Sequence, residues 1–351
     1  MGIIDRYREH LPVTGKTPVI SLNEGGTPLV AVDRLGQKLN LPKESLYCKV
    51  EGANPTGSFK DRGMTLAISK AVEEGAKAVV CASTGNTAAS AAAYAARAGL
   101  PCFVFLPKGH VAAGKLSQAV IHGAKVIEVK GNFDQCLKLV REAAVRFNLT
   151  IVNSTNPYRL EGQKTAAFEI CSALGRAPDY QFMPVGNAGN ITAYWRGYKE
   201  YLRNQQLPRM MGFQAKGAAP IVLGKPVKNP ATVATAIRIG HPASWKGALA
   251  ARDESGGAID TVTDKEILEA YRLLAQTEGV FCEPSSAAGV AGLIKYAKNR
   301  RLKIESGMKI VCILTGHGLK DPDSPFRFKS KSMTVKPDMK SVEAALKRIL
   351  R

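Results

Sequence analysis

Asn54-Pro55-Thr56-Gly57-Ser58-Phe59-Lys60-Asp61-Arg62-Gly63 lies between a strand-like run, Leu46-Tyr47-Cys48-Lys49-Val50, and a helix-like one, Met64-Thr65-Leu66-Ala67-Ile68-Ser69-Lys70. A single lysine therefore stands where a glycine-containing turn becomes a helix. The helix N-terminus is the positive end of the macrodipole, so it disfavours an ammonium and lowers the amine's pKa. A deprotonated lysine is the nucleophile that condenses with carbonyls. An exposed lysine beside Asp61 and Arg62 would leave the same local trace, so the rest of the chain has to decide.

Outward from this segment the strand–turn–helix rhythm repeats. Ala78–Cys81, Pro101–Leu106, Lys125–Val129 and Thr150–Val152 read as strands; Asn86–Ala98, Gly114–His122 and Phe133–Phe147 read as helices. After Gly162 a helix runs to Leu174, followed by strand Tyr180–Val185, helix Ile191–Leu202, strand Met211–Ala215 and a last strand, Lys309–Leu314. Strands alternating with helices of this length signal βαβ units and a parallel sheet, an α/β protein. Ala218–Gly247, rich in Pro, Gly and Ala, breaks the rhythm as a long loop with a short helix. The tail opens with Pro322 and Pro325 and ends in a short helix near Ser341–Ile349.

Composition narrows the function class. The 351 residues, 45% hydrophobic and 7% aromatic, suit two domains or one large α/β unit. The longest apolar runs are too short for a bilayer and no signal peptide is visible, which predicts a cytoplasmic protein with no membrane association. Seven cysteines, widely spaced and without a Cys-x-x-Cys pair, read as reduced, buried thiols. The five histidines form no ligand-spaced cluster, so no metal site is expected. The net charge of +20 is spread along the chain, densest at Phe326–Arg351, where eight Lys/Arg face two Asp/Glu for a net of +6. No aromatic-rich or helix-turn-helix pattern accompanies it, so nucleic acid is not the expected partner.

Three turns carry chemistry. Tyr180–Val185 runs into Gly186-Asn187-Ala188-Gly189-Asn190 and then a helix, which aims backbone N–H groups at an anion. No Walker lysine or Gly-x-Gly-x-x-Gly accompanies it, which argues against nucleotides. Cys81-Ala82-Ser83-Thr84-Gly85-Asn86-Thr87 offers hydroxyls, an amide and N–H groups suited to a carboxylate, although a helix cap uses the same residue types. Strand Lys309–Leu314 ends in Thr315-Gly316-His317-Gly318, placing a hydroxyl at the carboxyl edge of a sheet, where α/β proteins bind ligands.

In this order, together with Glu24-Gly25-Gly26-Thr27-Pro28-Leu29, these segments resemble the fold-type II pyridoxal-phosphate enzymes and, within them, the threonine synthases; the resemblance covers roughly residues 20 to 322. It implies a two-domain α/β fold, each domain a mostly parallel sheet flanked by helices. Residues 1–52 and 153–322 would form a large domain around a smaller mobile one, 53–152, with 323–351 a basic tail. Lys60 would hold pyridoxal 5′-phosphate as a Schiff base, and Asn86 would bond the ring's 3′ oxygen. Gly186, Asn187, Ala188, Gly189 and Asn190 would hold the 5′-phosphate, and Thr315 would bond the pyridine nitrogen.

The implied reaction converts O-phospho-L-homoserine and water to L-threonine and phosphate, with Lys60 moving protons at Cα and Cβ. Ser83, Thr84 and Thr87 are candidates for gripping substrate anions. Asn153, Ser154 and Arg159 form a candidate second anion site, because a guanidinium's planar fork suits a phosphate. Glu283-Pro284-Ser285-Ser286 resembles a family loop near the cofactor, without an assigned role. A homodimer is the family's habit. The rival readings are a cysteate synthase, a threonine/serine dehydratase, or a cofactor-free protein whose basic tail contacts polyanions.

Overall fold

Leu46–Val50, the run before the lysine segment, is the second of ten strands in the computed structural model, which describes residues 1–109, 113–203, 205–328 and 332–349. The strands are β1 (Leu29–Ala31), β2 (Leu46–Val50), β3 (Val79–Ala82), β4 (Cys102–Pro107), β5 (Lys125–Val129), β6 (Thr150–Ile151), β7 (Tyr180–Pro184), β8 (Arg209–Ala215), β9 (Ala258–Val262) and β10 (Ile310–Leu314). They form a six-stranded sheet in the order β1-β2-β10-β7-β8-β9 and a four-stranded sheet in the order β5-β4-β3-β6. Every neighbouring pair is parallel except β1 with β2. The chain is an α/β protein with helices between the strands.

Residues Met1–Asp321 make one compact unit that contains both sheets, and Pro322–Arg351 make a second. The second unit ends in helix Met339–Ile349; residues 329–331 and 350–351 of the basic tail lie outside the described residues. The strands between residues 79 and 151 belong to the small sheet and all others to the large one.

Alternation along β3 shows why both faces of the small sheet are covered. Val79 and Cys81 pack with Met64, Ala67, Ala88 and Ala91 from the helices Lys60–Glu73 and Asn86–Arg97. Val80 and Ala82 face the other way, onto Cys136, Val140 and Ala144 of helix Phe133–Phe147. A parallel strand buried on both faces reads as an uninterrupted apolar run, as this one does.

Several elements differ from the sequence expectation. The helix expected after Gly162 begins at Pro157, because the Asn156 side chain caps the Tyr158 N–H and proline is preorganised for the first helical position. This puts Arg159 in a helical first turn rather than a loop. Strand β9 and helix Asp264–Glu278 follow the long loop, where no strand was expected; a Thr263/Glu266 capping box starts the helix.

The Lys60 helix crosses helix Pro157–Leu174 at two glycines. A Cβ on Gly162 would lie 2.0 Å from the Arg62 carbonyl oxygen, and one on Gly63 would lie 2.6 Å from that of Arg159. Beneath this crossing sits a buried ionic cluster. Arg62 Nε and Nη2 donate to the Glu51 carboxylate at 2.7 and 2.8 Å; Nη1 and Nη2 donate to Glu169 at 2.8 and 2.6 Å. Lys49 Nζ donates to Glu169 Oε2 at 2.7 Å, and the Gly26 N–H donates to its other oxygen at 2.7 Å. Thr27 Oγ1 and Asn54 Nδ2 complete the shell around Glu51. The two buried cations, Lys49 and Arg62, balance the two buried anions, and the half-exposed Arg6 reaches Glu169 at 4.0 Å. Burial opposes the Glu169 charge, but Arg62 and then Lys49 outweigh it and hold its carboxyl well below the usual range.

Removing one partner from such a cluster strands a buried charge, which costs about 3–5 kcal/mol. Glu169→Gln should therefore lower the stability of the protein by about 3 kcal/mol in urea unfolding. A change below about 1 kcal/mol, the size typical of an exposed pair, would show that the cluster does not anchor this helix.

Candidate active site

Three adjacent parallel strands of the large sheet, β2, β10 and β7, end in Glu51, Thr315 and the Gly186–Asn190 turn. On the small sheet, neighbouring β3 and β6 end in the Ser83–Thr87 turn and the Asn153–Ser154 loop. The carboxyl ends of parallel strands are where α/β folds gather ligand-binding groups. The Phe59 N–H donates to the Thr315 carbonyl at 3.0 Å, and Ser58 bridges Gly316, which ties the Lys60 turn to the end of β10.

Lys60 is the first residue of its helix, as expected. Its pKa is pulled down to about 7, first by burial and then by the Arg159 guanidinium, with Glu283 opposing. The helix start invoked from sequence is thus not the leading cause; desolvation and a neighbouring cation are. At neutral pH about half of such amines are unprotonated nucleophiles.

Glu283 links Lys60 to Asn86. The Asn86 side-chain amide lies 3.2 Å from both Glu283 carboxylate oxygens, and the Glu283 N–H donates to the Gly316 carbonyl at 2.9 Å. Gly316 is close enough that a Cβ there would sit 2.6 Å from Glu283 Oε1. Sequence reading left Glu283 and Ser286 without roles. Their signal was the Glu-Pro-Ser-Ser helix start, here helix Pro284–Lys298, whose first turn abuts β10.

The candidate substrate residues fall into two groups. Ser83 Oγ accepts from the Gly85 and Ala88 N–H groups, both at 3.2 Å, so its hydroxyl is occupied at the start of helix Asn86–Arg97; Thr84 and Thr87 stand partly exposed beside it. The Asn153 amide pairs in both directions with the Ala82 main chain, at 3.0 and 2.9 Å, joining the ends of β3 and β6. The side chain expected among the anion ligands is thus engaged with the main chain at the strand end. Ser154 Oγ accepts from Asn187 Nδ2, and Asn187 Oδ1 accepts from the Ala243 N–H at 2.6 Å, so both brace the glycine turn.

Arg159 is different. It is 1% exposed and gives one hydrogen bond, Nη1 to the Val152 carbonyl at 2.8 Å, while Nε and Nη2 have no partner among the described residues. Burial lowers its pKa to about 10, against the pull of Cys81 and Asp61. A buried guanidinium with unmatched donors is a strong anion host.

The Gly186–Asn190 turn holds a second unmatched group. Asn190 is buried, and neither its Oδ1 nor its Nδ2 has a partner among the described residues. Ala188 adopts a left-handed φ of +64°, an unfavourable state for a residue with a Cβ, just before helix Gly189–Leu202. His317, whose Nδ1 accepts from the Leu319 N–H at 3.2 Å and whose ring packs on Phe281, has a structural place. All seven cysteines are free and buried. Among the described residues there is no cluster that could hold a metal, and no helix is long and apolar enough to cross a membrane; His110 lies outside those residues.

A family model described as pyridoxal-phosphate dependent enzyme matches residues 20–316. The chain is 56% identical over 350 residues to a threonine synthase of Synechocystis sp., covering 98% of this chain and 90% of that one. It is 57% identical over 325 residues to a threonine synthase of Halalkalibacterium halodurans, covering 92% and 90%. A threonine synthase of Methanocaldococcus jannaschii is 51% identical, covering 98% and 87%. Among solved structures, an O-ureido-L-serine synthase aligns with a TM-score of 0.74 at 21% identity, covering 96% of this chain and 100% of that one. A maize serine racemase aligns with a TM-score of 0.73 at 20% identity, covering 99% and 98%. The chain belongs to the pyridoxal-phosphate-dependent enzymes, among the threonine synthases. Its residues fit that cofactor: an amine poised near pH 7, an N–H-lined turn at a helix start, and an unmatched buried amide at Asn190.

In the cofactor-free protein, acylation of Lys60 by an amine reagent, followed by peptide mapping, should rise through a midpoint near pH 7. Arg159→Gln should move that midpoint upward, because it removes a cation that opposes protonation of Lys60. A midpoint near the ordinary lysine value of about 10.4 would contradict the burial and charge argument.

Proposed function

We propose that this protein converts O-phospho-L-homoserine and water into L-threonine and phosphate by γ-elimination followed by β-addition of water. Identity of 51–57% to threonine synthases along nearly the whole chain carries the reading. Pyridoxal phosphate supplies an electron sink for charge developing on substrate carbon, and Lys60 Nζ is the amine that binds its aldehyde. The Gly186–Asn190 turn, with its N–H groups and the Asn190 amide, would hold the cofactor phosphate, and Asn86 would bond the ring's 3′ oxygen.

Lys60 is the proton carrier. Its free amine would remove the substrate's Cα proton and then transfer a proton at Cβ. An amine with a pKa near 7 can both take and return protons at neutral pH, whereas an ordinary lysine would stay protonated. Thr315 offers a hydroxyl to the ring nitrogen. A hydroxyl does not protonate that nitrogen as a carboxylic acid would, which favours elimination and replacement over transamination.

Arg159 is assigned to the substrate phosphate, its two unmatched nitrogens supplying the charged donors that a departing dianion requires. Ser83, Thr84 and Thr87 lie at the turn proposed to face the substrate carboxylate, Ser83 through its neighbouring N–H groups more than its occupied hydroxyl. Ser154 shapes the pocket through Asn187. Movement of residues 53–152 toward the remainder of 1–322 would exclude water until it is needed. A cytoplasmic homodimer completes the proposal.

A threonine/serine dehydratase would have no use for a second phosphate site. The purified protein should be yellow, and borohydride should fix the cofactor on Lys60; labelling elsewhere would refute the assignment. Incubation with O-phosphohomoserine should yield threonine and phosphate in equal amounts. A keto acid from threonine without turnover of phosphohomoserine would favour the dehydratase, and phosphate release from O-phosphoserine and sulfite without turnover of phosphohomoserine would favour a cysteate synthase. Arg159→Ala should raise KM for phosphohomoserine at least about tenfold while the cofactor spectrum stays intact, the loss of a charged hydrogen bond being worth about 1.5–3 kcal/mol. Loss of the cofactor instead would mean that Arg159 belongs to the other phosphate site.

A further inference from the structure

Ser286 is fully buried in the first turn of helix Pro284–Lys298, and its hydroxyl meets three polar groups at the end of β10. Ser286 Oγ accepts from the Gly316 N–H at 2.9 Å. It lies 2.9 Å from Thr315 Oγ1 and 3.3 Å from the Gly316 carbonyl oxygen. The backbone N–H can only donate, so one lone pair of Ser286 is taken and its single proton must choose between the other two groups. The Gly316 carbonyl already accepts from the Glu283 N–H at 2.9 Å and is the more distant. Thr315 Oγ1 is the better acceptor.

We infer that Ser286 is a positioning residue that fixes Thr315 as a hydrogen-bond donor toward the cofactor's ring. The inference rests on the proposed pairing of Thr315 with the ring nitrogen. With Ser286 donating to it, Thr315 has its own proton left to give, and the partner that proton suits is an unprotonated nitrogen. Were the pair reversed, Thr315 could only accept, and the ring nitrogen would have to carry a proton. A buried serine behind Thr315 thus selects the protonation state of the ring. The Glu283–Ser286 segment holds the chemistry from both sides, through Asn86 at one end and Thr315 at the other.

The test uses holoenzyme loaded with pyridoxal phosphate carrying ¹⁵N in the ring, and reads the nitrogen chemical shift from pH 6 to 9. The intact protein should show an unprotonated, hydrogen-bonded nitrogen whose shift is flat over that range. Thr315→Ala should move the shift toward that of an unbonded pyridine. Ser286→Ala should move it at least half as far and weaken cofactor binding about tenfold, the scale of one hydrogen bond. Ser286→Cys keeps an acceptor for the Gly316 N–H but donates poorly, so it should fall in between, and it decides the matter if Ser286→Ala does not fold. A protonated ring nitrogen at pH 7 in the intact protein would overturn the inference. So would a shift unmoved by Ser286→Ala or Ser286→Cys where Thr315→Ala moves it, since a structural role would weaken binding without changing the shift. A shift indifferent to Thr315→Ala would instead refute the pairing of Thr315 with the ring.

Discussion

The guanidinium of Arg62, held between Glu51 and Glu169 at 2.6–2.8 Å and fully buried, is the constraint on which the site's geometry depends. Arg62 lies two residues beyond Lys60, so whatever fixes Arg62 fixes the start of that helix. Its partners come from the end of β2 and from the helix that carries Arg159. A bidentate guanidinium–carboxylate pair restrains orientation as well as distance, which a hydrophobic contact would not do. Buried ion pairs are weak evidence for net stability, and their better attested use is to specify one arrangement over others. Here that arrangement places one lysine, one arginine and the ends of two sheets around a common site.

The same frame explains how a lysine can work near neutral pH. Burial is the leading cause of its lowered pKa, and the Arg159 cation adds to it. Arg159 stands close because two helices cross at Gly63 and Gly162, with no room for a side chain at either. The proposed phosphate host and the proposed proton carrier are therefore coupled through one helix crossing. An anion held by Arg159 would offset its charge and raise the proton affinity of Lys60, and departure of that anion would lower it again. Such coupling suits a reaction in which phosphate leaves between two proton transfers.

Local features were legible in the sequence and long-range ones were not. The Lys60 turn, the Gly186–Asn190 turn and the Thr315 strand end are each continuous strand–turn segments, so periodicity and turn chemistry place them. Helix Pro157–Leu174 was read six residues short because its Pro-containing start resembles a loop until the Asn156 cap is seen. The Arg62 cluster joins residues 49, 51, 62 and 169, and no spacing rule connects such positions. Asn153 and Asn187 have the side chains of anion ligands, yet the Asn153 amide pairs with the Ala82 main chain and the Asn187 amide joins Ser154 Oγ to the Ala243 N–H. Whether a polar side chain faces a ligand or a strand end is decided by tertiary packing, to which residue type is blind.

The central claim is that phosphate leaves by breaking the bond between carbon and oxygen, after which water adds at a different carbon. Turnover of O-phosphohomoserine in ¹⁸O-water, with mass analysis of both products, tests this most directly. One ¹⁸O atom in each threonine and none in the released phosphate is the predicted result. Homoserine accompanied by ¹⁸O-labelled phosphate would mean hydrolysis at phosphorus and would contradict the account.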